Sequence, residues 1–260
     1  MIIHSGEVIC VAKTRYIWKN NWNLGIEEFK DNQLYLVAEH NDLITKARHD
    51  LTSQQLKIVD FIIAKIKPDD EHFNVIDTSM NELANVLKLT PSSRVYSQLI
   101  DNVHKLRQKE VTVYNEDEKA VTITGWLENA KICESGKIKL KINKNFTPYL
   151  LQLKGSYTQY YLYDTVRLSS KYAIQMYKLM READKTHGKK MPIAQGSPED
   201  WKKWMGAPES YNYNRLKENV LKKAIEEVNE IIVDMHLKLY QAKRGRKVTQ
   251  VEVHNEISAN

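Results

Sequence analysis

Leu56, Val59, Ile62, Ile63 and Ile66 recur at the three- and four-residue spacing of one helix face, and Pro68 ends the run. Thr52 precedes them with Gln55 three residues on, the spacing of a capping box. After a short strand at "FNVIDT", Ser79 and Glu82 repeat that spacing ahead of Leu83, Val86 and Leu87. A third helix opens within "LTPSSRVYSQLIDNVHKLRQ". Its predicted cap is Thr90, with Pro91 at the first helical position and Leu99, Ile100, Val103 and Leu106 as its buried face. "VTVY", "AVTITGWL" and "KIKLKIN" then alternate as strands, with "NEDEK" as a turn. Residues up to about Val37 read weakly: "EVICVAKTRYIW" predicts a strand, and "NWNLGIEEFKDNQ" carries no clear period.

The same order of elements returns after a spacer around "NFTPYLLQLKGSY". "LSSKYAIQMYKLMREA" predicts a helix capped by Ser169 or Ser170, with Tyr172, Met176, Tyr177 and Met180 on its apolar face. "KKMPIAQ" predicts a short strand. Ser197 caps a helix that starts with Pro198 and turns Trp201 and Trp204 inward. "YNYNRLKENVLKKAIEEVNE" carries Leu216, Val220, Leu221, Ala224, Ile225 and Val228 on one stripe. A hairpin comes next, in which Val233, Met235, Leu237 and Leu239, then Val251 and Val253, predict one buried face. Helix, strand, helix, helix and sheet is the order of a winged helix, a helix-turn-helix whose sheet closes the domain. The predicted fold class is therefore α+β, two tandem winged-helix domains related as a pseudo-repeat. The predicted divisions are an N-terminal extension over residues 1–36, a first domain over 37–150 and a second over 151–260.

Composition adds limits. No apolar run approaches the roughly 20 residues that span a bilayer, and Glu7 interrupts the apolar N-terminus, which argues against a signal peptide. Cys10 and Cys133 are too few for a disulfide framework or a zinc cluster and suit a reducing cytoplasm. Charge is more informative. Residues 154–260 hold 19 Lys and Arg against 13 Asp and Glu, whereas the preceding 153 residues hold 20 of each. The whole net charge of +6 thus lies in the second half, which points to a polyanionic partner.

Two stretches concentrate it. Arg215, Lys217, Lys222 and Lys223 lie toward the start of their helix and Glu226, Glu227 and Glu230 toward its end, against the preference of the helix dipole. Cations there would face phosphates and base edges in a major groove, with Asn212, Tyr213 and Asn214 alongside as hydrogen-bonding side chains. A merely solvated basic face is the alternative. The second stretch is "KRGRKV", where Lys243, Arg244, Arg246 and Lys247 crowd a hairpin tip around Gly245. Touching a phosphate backbone, such a tip would release counterions; otherwise it would be a solubilising, aggregation-blocking turn. The first domain is less basic: Ser93 and Arg94 stand near the start of its third helix, and that half suits a weaker DNA contact, a dimer interface or both.

These segments resemble the initiator proteins of theta-replicating plasmids, the RepA/RepB/RepE-type tandem winged-helix family, from about Val37 to Ile257. "HNDLITKARHDLTSQQLKIVDFIIAKI" is similar to that family's opening asparagine, short helix and first long helix. "YTQYYLYDTVRLSSKYAIQMYKLM" resembles the segment joining its two domains, and "LKENVLKKAIEEVNE" with "KRGRKVTQVEV" its recognition helix and wing. The resemblance implies a non-enzymatic protein that binds directly repeated iterons of double-stranded origin DNA as a monomer. It implies origin opening, recruitment of the host initiator and the replicative helicase, and a homodimer, formed through the first domain, that binds an inverted repeat and represses its own gene. Asn212, Asn214, Arg215 and Lys217 would fall on the recognition helix, and Arg244, Arg246 and Lys247 on the wing.

Competing chemistries find little footing. A tyrosine-dependent nicking enzyme needs a His-hydrophobe-His metal site, and no two of the eight histidines stand two residues apart. "THGKKM" lacks the earlier glycine and final hydroxyl of a nucleotide-phosphate loop. No cofactor is expected. A plain transcriptional regulator of the same architecture stays open, as both would bind DNA repeats without chemistry. A membrane-surface protein would need an exposed apolar stripe, and the stripes here are accounted for as core.

Overall fold

A computed structural model describes residues 8–11, 15–18, 35–115, 119–187 and 191–257. Strands β1 (Val8–Val11) and β2 (Arg15–Trp18) form an antiparallel pair where a single strand was expected. The first domain then runs β3 (Leu36–His40), α1 (Asn41–Thr45), β4 (Ala47–His49), α2 (Ser53–Ala64), β5 (Ile76–Ser79), α3 (Met80–Val86) and α4 (Ser93–Gln108). Its strands β6 (Glu110–Asn115), β7 (Ala120–Gly125), β8 (Leu127–Ile132) and β9 (Lys137–Ile142) complete two antiparallel sheets, ordered β4-β6-β7 and β5-β9-β8.

Local chemistry explains most of these starts. Thr52 and Gln55 close the predicted capping box, each side chain accepting from the other's backbone N–H at 3.3 and 3.0 Å. Ser79 caps α3 by accepting from the Glu82 N–H, but the Glu82 carboxylate accepts instead from Lys65 at 2.6 Å and Thr78 at 2.9 Å. Helix α4 is capped by Ser92, not Thr90, with its hydroxyl accepting from the Val95 N–H at 3.2 Å. The helix starts two residues later than expected, so Thr90 does not cap it and Pro91 lies outside it. Ile100 is 41% exposed, contrary to expectation, because Leu99, Val103 and Leu106 already fill the buried stripe. The stretch "AVTITGWL" is two strands. Trp126 breaks it, turning inward to stack on Phe146 with ring centroids 4.6 Å apart. Of the predicted "NEDEK" turn, residues 116–118 lie outside the described residues.

After α5 (Thr147–Leu150), strand β10 (Tyr157–Tyr161) returns to pair antiparallel with β3, Tyr157 opposite His40. Helices α6 (Leu162–Arg167) and α7 (Lys171–His187) lead into β11 (Ile193–Gly196), α8 (Pro198–Met205) and a long helix. That helix comprises α9 (Tyr213–Leu216), a π turn (Lys217–Leu221) and α10 (Lys222–Ile231). The hairpin β12 (Leu237–Arg244) and β13 (Lys247–Asn255) comes last, and the sheet order is β11-β13-β12. Ser197 and Asp200 form a complete capping box on α8. Trp201 is fully buried with its indole N–H donating to the Val251 carbonyl at 3.0 Å. Trp204 lies half-buried over Gly196, where a Cβ would come within 2.5 Å of its ring, so only glycine fits. Tyr172 is half-buried while Met176, Tyr177 and Met180 are fully inside. Val233, expected on the buried face, is 64% exposed because β12 begins only at Leu237 and Val233 falls in the preceding turn.

Helix α7 ties the two halves together. Lys178 is buried among residues of the first half, its ammonium 2.7 Å from Asp60 Oδ1 and 3.2 Å from Glu39 Oε1. The Tyr160 hydroxyl donates to both carboxylates, at 2.6 Å to Glu39 and 3.1 Å to Asp60. Burial alone would lower the Lys178 pKa; the two carboxylates outweigh it and hold the value above the usual one. The apolar core is correspondingly continuous from Val37 through Val253. Removing one partner of a buried ion pair leaves an uncompensated charge. Lys178→Met should therefore lower unfolding free energy by about 3–5 kcal/mol in urea titration; a loss under about 1 kcal/mol would mean that the cluster does not hold α7.

Candidate nucleic-acid interface

The candidate recognition surface starts at a cap. Asn212 is extended, and its side-chain oxygen accepts from the Arg215 N–H at 3.0 Å, so one acceptor is committed to starting the helix. Its amide nitrogen stays available on an exposed residue. Asn214 and Arg215 are exposed, while Lys217 is half-buried. Asn219, Lys222 and Lys223 continue the exposed side of the helix along the spacing that leads from Arg215. Lys222 is paired with Glu218 one turn earlier at 2.8 Å, an exposed pair of small energetic weight.

The π turn lies inside this helix, with the Lys222 N–H reaching back five residues to the Lys217 carbonyl. The buried stripe nonetheless stays whole: Leu216, Val220, Leu221, Ala224, Ile225 and Val228 are all inside.

The wing joins this helix directly. Tyr213 donates its hydroxyl to Gln241 Oε1 on β12 at 2.7 Å, and burial raises the pKa of that phenol. Gln241 stands two residues before Lys243, so the start of the helix and the basic strand end are fastened to one another. At the tip Arg244 pairs with Lys247 across a two-residue turn, and Gly245 takes φ +62 at its first position. A positive φ there matches the right-handed twist of the strands, and glycine adopts it without strain. Lys243, Arg244, Arg246 and Lys247 are all exposed. Together with Arg215, Lys217 and Lys223, they have no ion-pair partner among the described residues.

The acids at the other end of the helix have a use that the sequence did not reveal. Glu227 accepts from the backbone N–H groups of Ser169 and Ser170 and from the Ser169 hydroxyl, so it sits at the N-terminus of α7. A carboxylate is favoured there. The apparent breach of the dipole rule is thus half explained by a neighbouring helix.

Ser93 and Arg94, exposed at the start of α4, lie on a separate element in the first domain. The hairpin β8–β9 of that domain carries a feature missed in sequence: Lys131 stands opposite Lys139, with Lys137 and Lys141 along the same strand. The alternation of lysine and apolar residues in "KIKLKIN" was its signal. Two of these cations are already paired, Lys139 with Asp77 at 3.3 Å and Lys141 with Glu128 at 3.0 Å. Tyr177, a conceivable nucleophile, is buried with its hydroxyl donating to Asp164 at 2.7 Å. No His, Cys, Asp and Glu cluster suited to a metal occurs among the described residues, and no described helix is long and apolar enough to cross a membrane.

Two helix-turn-helix units, each closed by a hairpin wing, with a capped and cation-bearing third helix in the second, define a tandem winged-helix DNA-binding protein. Residues 36–181 match the family described as "Initiator Replication protein, WH1" and residues 197–255 match "Initiator Rep protein, WH2". The chain belongs to this family of replication initiators. Among solved structures, the Pi initiator protein in complex with iteron DNA is similar at a TM-score of 0.70, with 19% identity over 88% of this chain and 99% of that one. Domains 2 and 3 of RctB are similar at a TM-score of 0.48, with 10% identity over 82% of this chain and 86% of that one.

Counterion release makes the wing's role measurable. Replacing Arg244, Arg246 and Lys247 together by alanine should weaken binding to specific and scrambled duplexes alike and flatten the plot of log K against log salt by about 0.9 per lost phosphate contact. Fluorescence anisotropy across a salt series reads this directly; an unchanged slope removes the tip from the interface.

Proposed function

We propose that this chain is a plasmid replication initiator that binds directly repeated iterons in origin DNA through the helix from Tyr213 and the wing tip. The carrying observation is the row of unneutralised cations fastened by the Tyr213–Gln241 hydrogen bond, in a chain of the initiator family. Asn214 and Arg215 project where a major groove would meet the helix start and would read base edges, while the wing holds the phosphates. Ser93, Arg94 and the lysines of β8–β9 supply a second, weaker contact from the first domain. Bound in this way, the protein would promote origin opening and bring in the host initiator and the replicative helicase. It acts by binding and deformation of DNA, without covalent chemistry of its own.

The same protein would also repress its own gene as a homodimer on an inverted repeat. The strand pair β6–β7 supports that reading. Tyr114, Val121 and Ile123 are exposed apolar residues on it, and β7 is the edge of its sheet. An unpaired edge with an apolar face suits a second copy.

Two experiments test the reading. Asn214→Ala and Arg215→Ala should each reduce the affinity ratio between the plasmid's own repeat and a scrambled duplex, by about 1–3 kcal/mol where a bidentate base contact is lost. Retention of the wild-type ratio in both would refute base reading by this helix. Ile123→Lys should shift the free protein toward monomer in sedimentation velocity; a dimer fraction unchanged by it would place the interface elsewhere.

A further inference from the structure

Helix α6 and the short segment that joins it to α7 receive contacts from both halves of the molecule. From the first half, the Lys57 ammonium on α2 donates to the Val166 carbonyl at 3.0 Å. Lys88, just past α3, places its ammonium 4.4 Å from the centre of the Tyr163 ring, and Arg167 places its guanidinium 4.8 Å from that same centre. From the second half, Glu227 holds the Ser169 and Ser170 amides, and Arg167 donates to the Ile231 carbonyl at the end of α10. Immediately beyond, Arg181 of α7 grips Asp234 with two bonds of 2.7 and 2.8 Å. The end of the recognition helix is therefore tied to a segment that the first domain's helix-turn-helix also grips.

These contacts are unlike ordinary packing. The hydrogen bonds among them are charge-assisted and directional, so each specifies an angle as well as a distance. A bidentate arginine–carboxylate pair and a carboxylate bridging two successive amides tolerate little rotation. The apolar stripe of the helix would hold it against α7 over a range of slides; the polar clamp selects one position.

We propose that Glu227 and Arg167 are positioning residues that fix the recognition helix relative to the first domain, and thereby set the spacing at which the two domains engage one DNA site. This rests on the reading that both domains touch the same repeat. Linked modules gain affinity only where geometry lets them bind together, so a rigid clamp converts a change of DNA spacing into a loss of binding. A loose joint would accept neighbouring spacings with similar affinity.

The test uses the full-length protein and its own repeat, with one base pair inserted or removed between the segments that the two domains protect in a footprint. The wild type should bind the altered spacings markedly less well than the native one. Glu227→Gln keeps the shape but removes the charge, and Arg167→Lys keeps the charge but removes the fork. In either variant the ratio of native to altered spacing should shrink by about tenfold, a modest part of the gain that linkage can supply. Circular dichroism checks folding, and Arg167→Lys carries the test if Glu227→Gln fails to fold. A variant that binds every spacing more weakly by the same factor, or as well as wild type, overturns the proposal. A wild type that protects only one segment, or that shows no spacing preference, overturns the underlying two-domain reading as well, and the wild-type arm alone reveals that case.

Discussion

Everything in the second half of this chain takes its position from one helix that is anchored in the first. Lys178 on α7 sits between Asp60 and Glu39, two carboxylates contributed by α2 and β3. An ammonium removed from water is costly, and the cost is offset only where acceptors surround it. Two carboxylates from the first half provide that surround, and the Tyr160 ring, on the strand paired with β3, lies 5.2 Å from the ammonium. The register of α7 cannot slip by a turn without stranding the charge. Because α8, the helix from Tyr213 and β11 all pack on or beside α7, the constraint passes directly to the surface proposed to face DNA.

That surface carries a compromise. Cations at a helix start oppose the macrodipole, by about 0.3–1 kcal/mol each when exposed. Asn212 recovers part of this by capping the first turn, and Glu227 is excused from its own unfavourable place by serving the N-terminus of α7. The hairpin makes a similar trade. Four like charges at a tip repel one another, yet the strands are held by Val251, Val253 and Leu237 inside, and by a glycine that closes the turn without strain.

Much of this was legible in advance, and the reasons for the gaps are specific. Helix faces, the α2 capping box, the inward Trp201 and the hairpin with its glycine all derive from period and spacing, which are local. Thr90 and Ser92 are both cap candidates, and Thr90–Pro91 has the same local pattern as the Ser197–Pro198 start of α8, so spacing alone does not choose between them. Trp126 reads as one more apolar strand position until Phe146, twenty residues on, is seen to stack on it. Val233 obeys the alternation but precedes the strand. Asp60 and Glu39 look like surface acids, since nothing nearby in sequence announces Lys178. The role of Glu227 was hidden for the same reason, its partners lying 57 and 58 residues away. Long-range polar contacts leave no periodic trace.

The pairing of cations ranks the two basic surfaces. Lys139 and Lys141 on the first domain's hairpin already have carboxylate partners in Asp77 and Glu128, exposed pairs that neutralise part of their charge. Lys243, Arg244, Arg246 and Lys247 have none among the described residues, and neither has Arg215. An unpaired cation keeps its full attraction for a polyanion, whereas a paired one offers only the difference between two partners. On the proposed reading, the second domain therefore supplies most of the affinity and of its salt dependence. The first domain is left to act mainly through geometry, which is the condition under which a fixed angle between the two would matter.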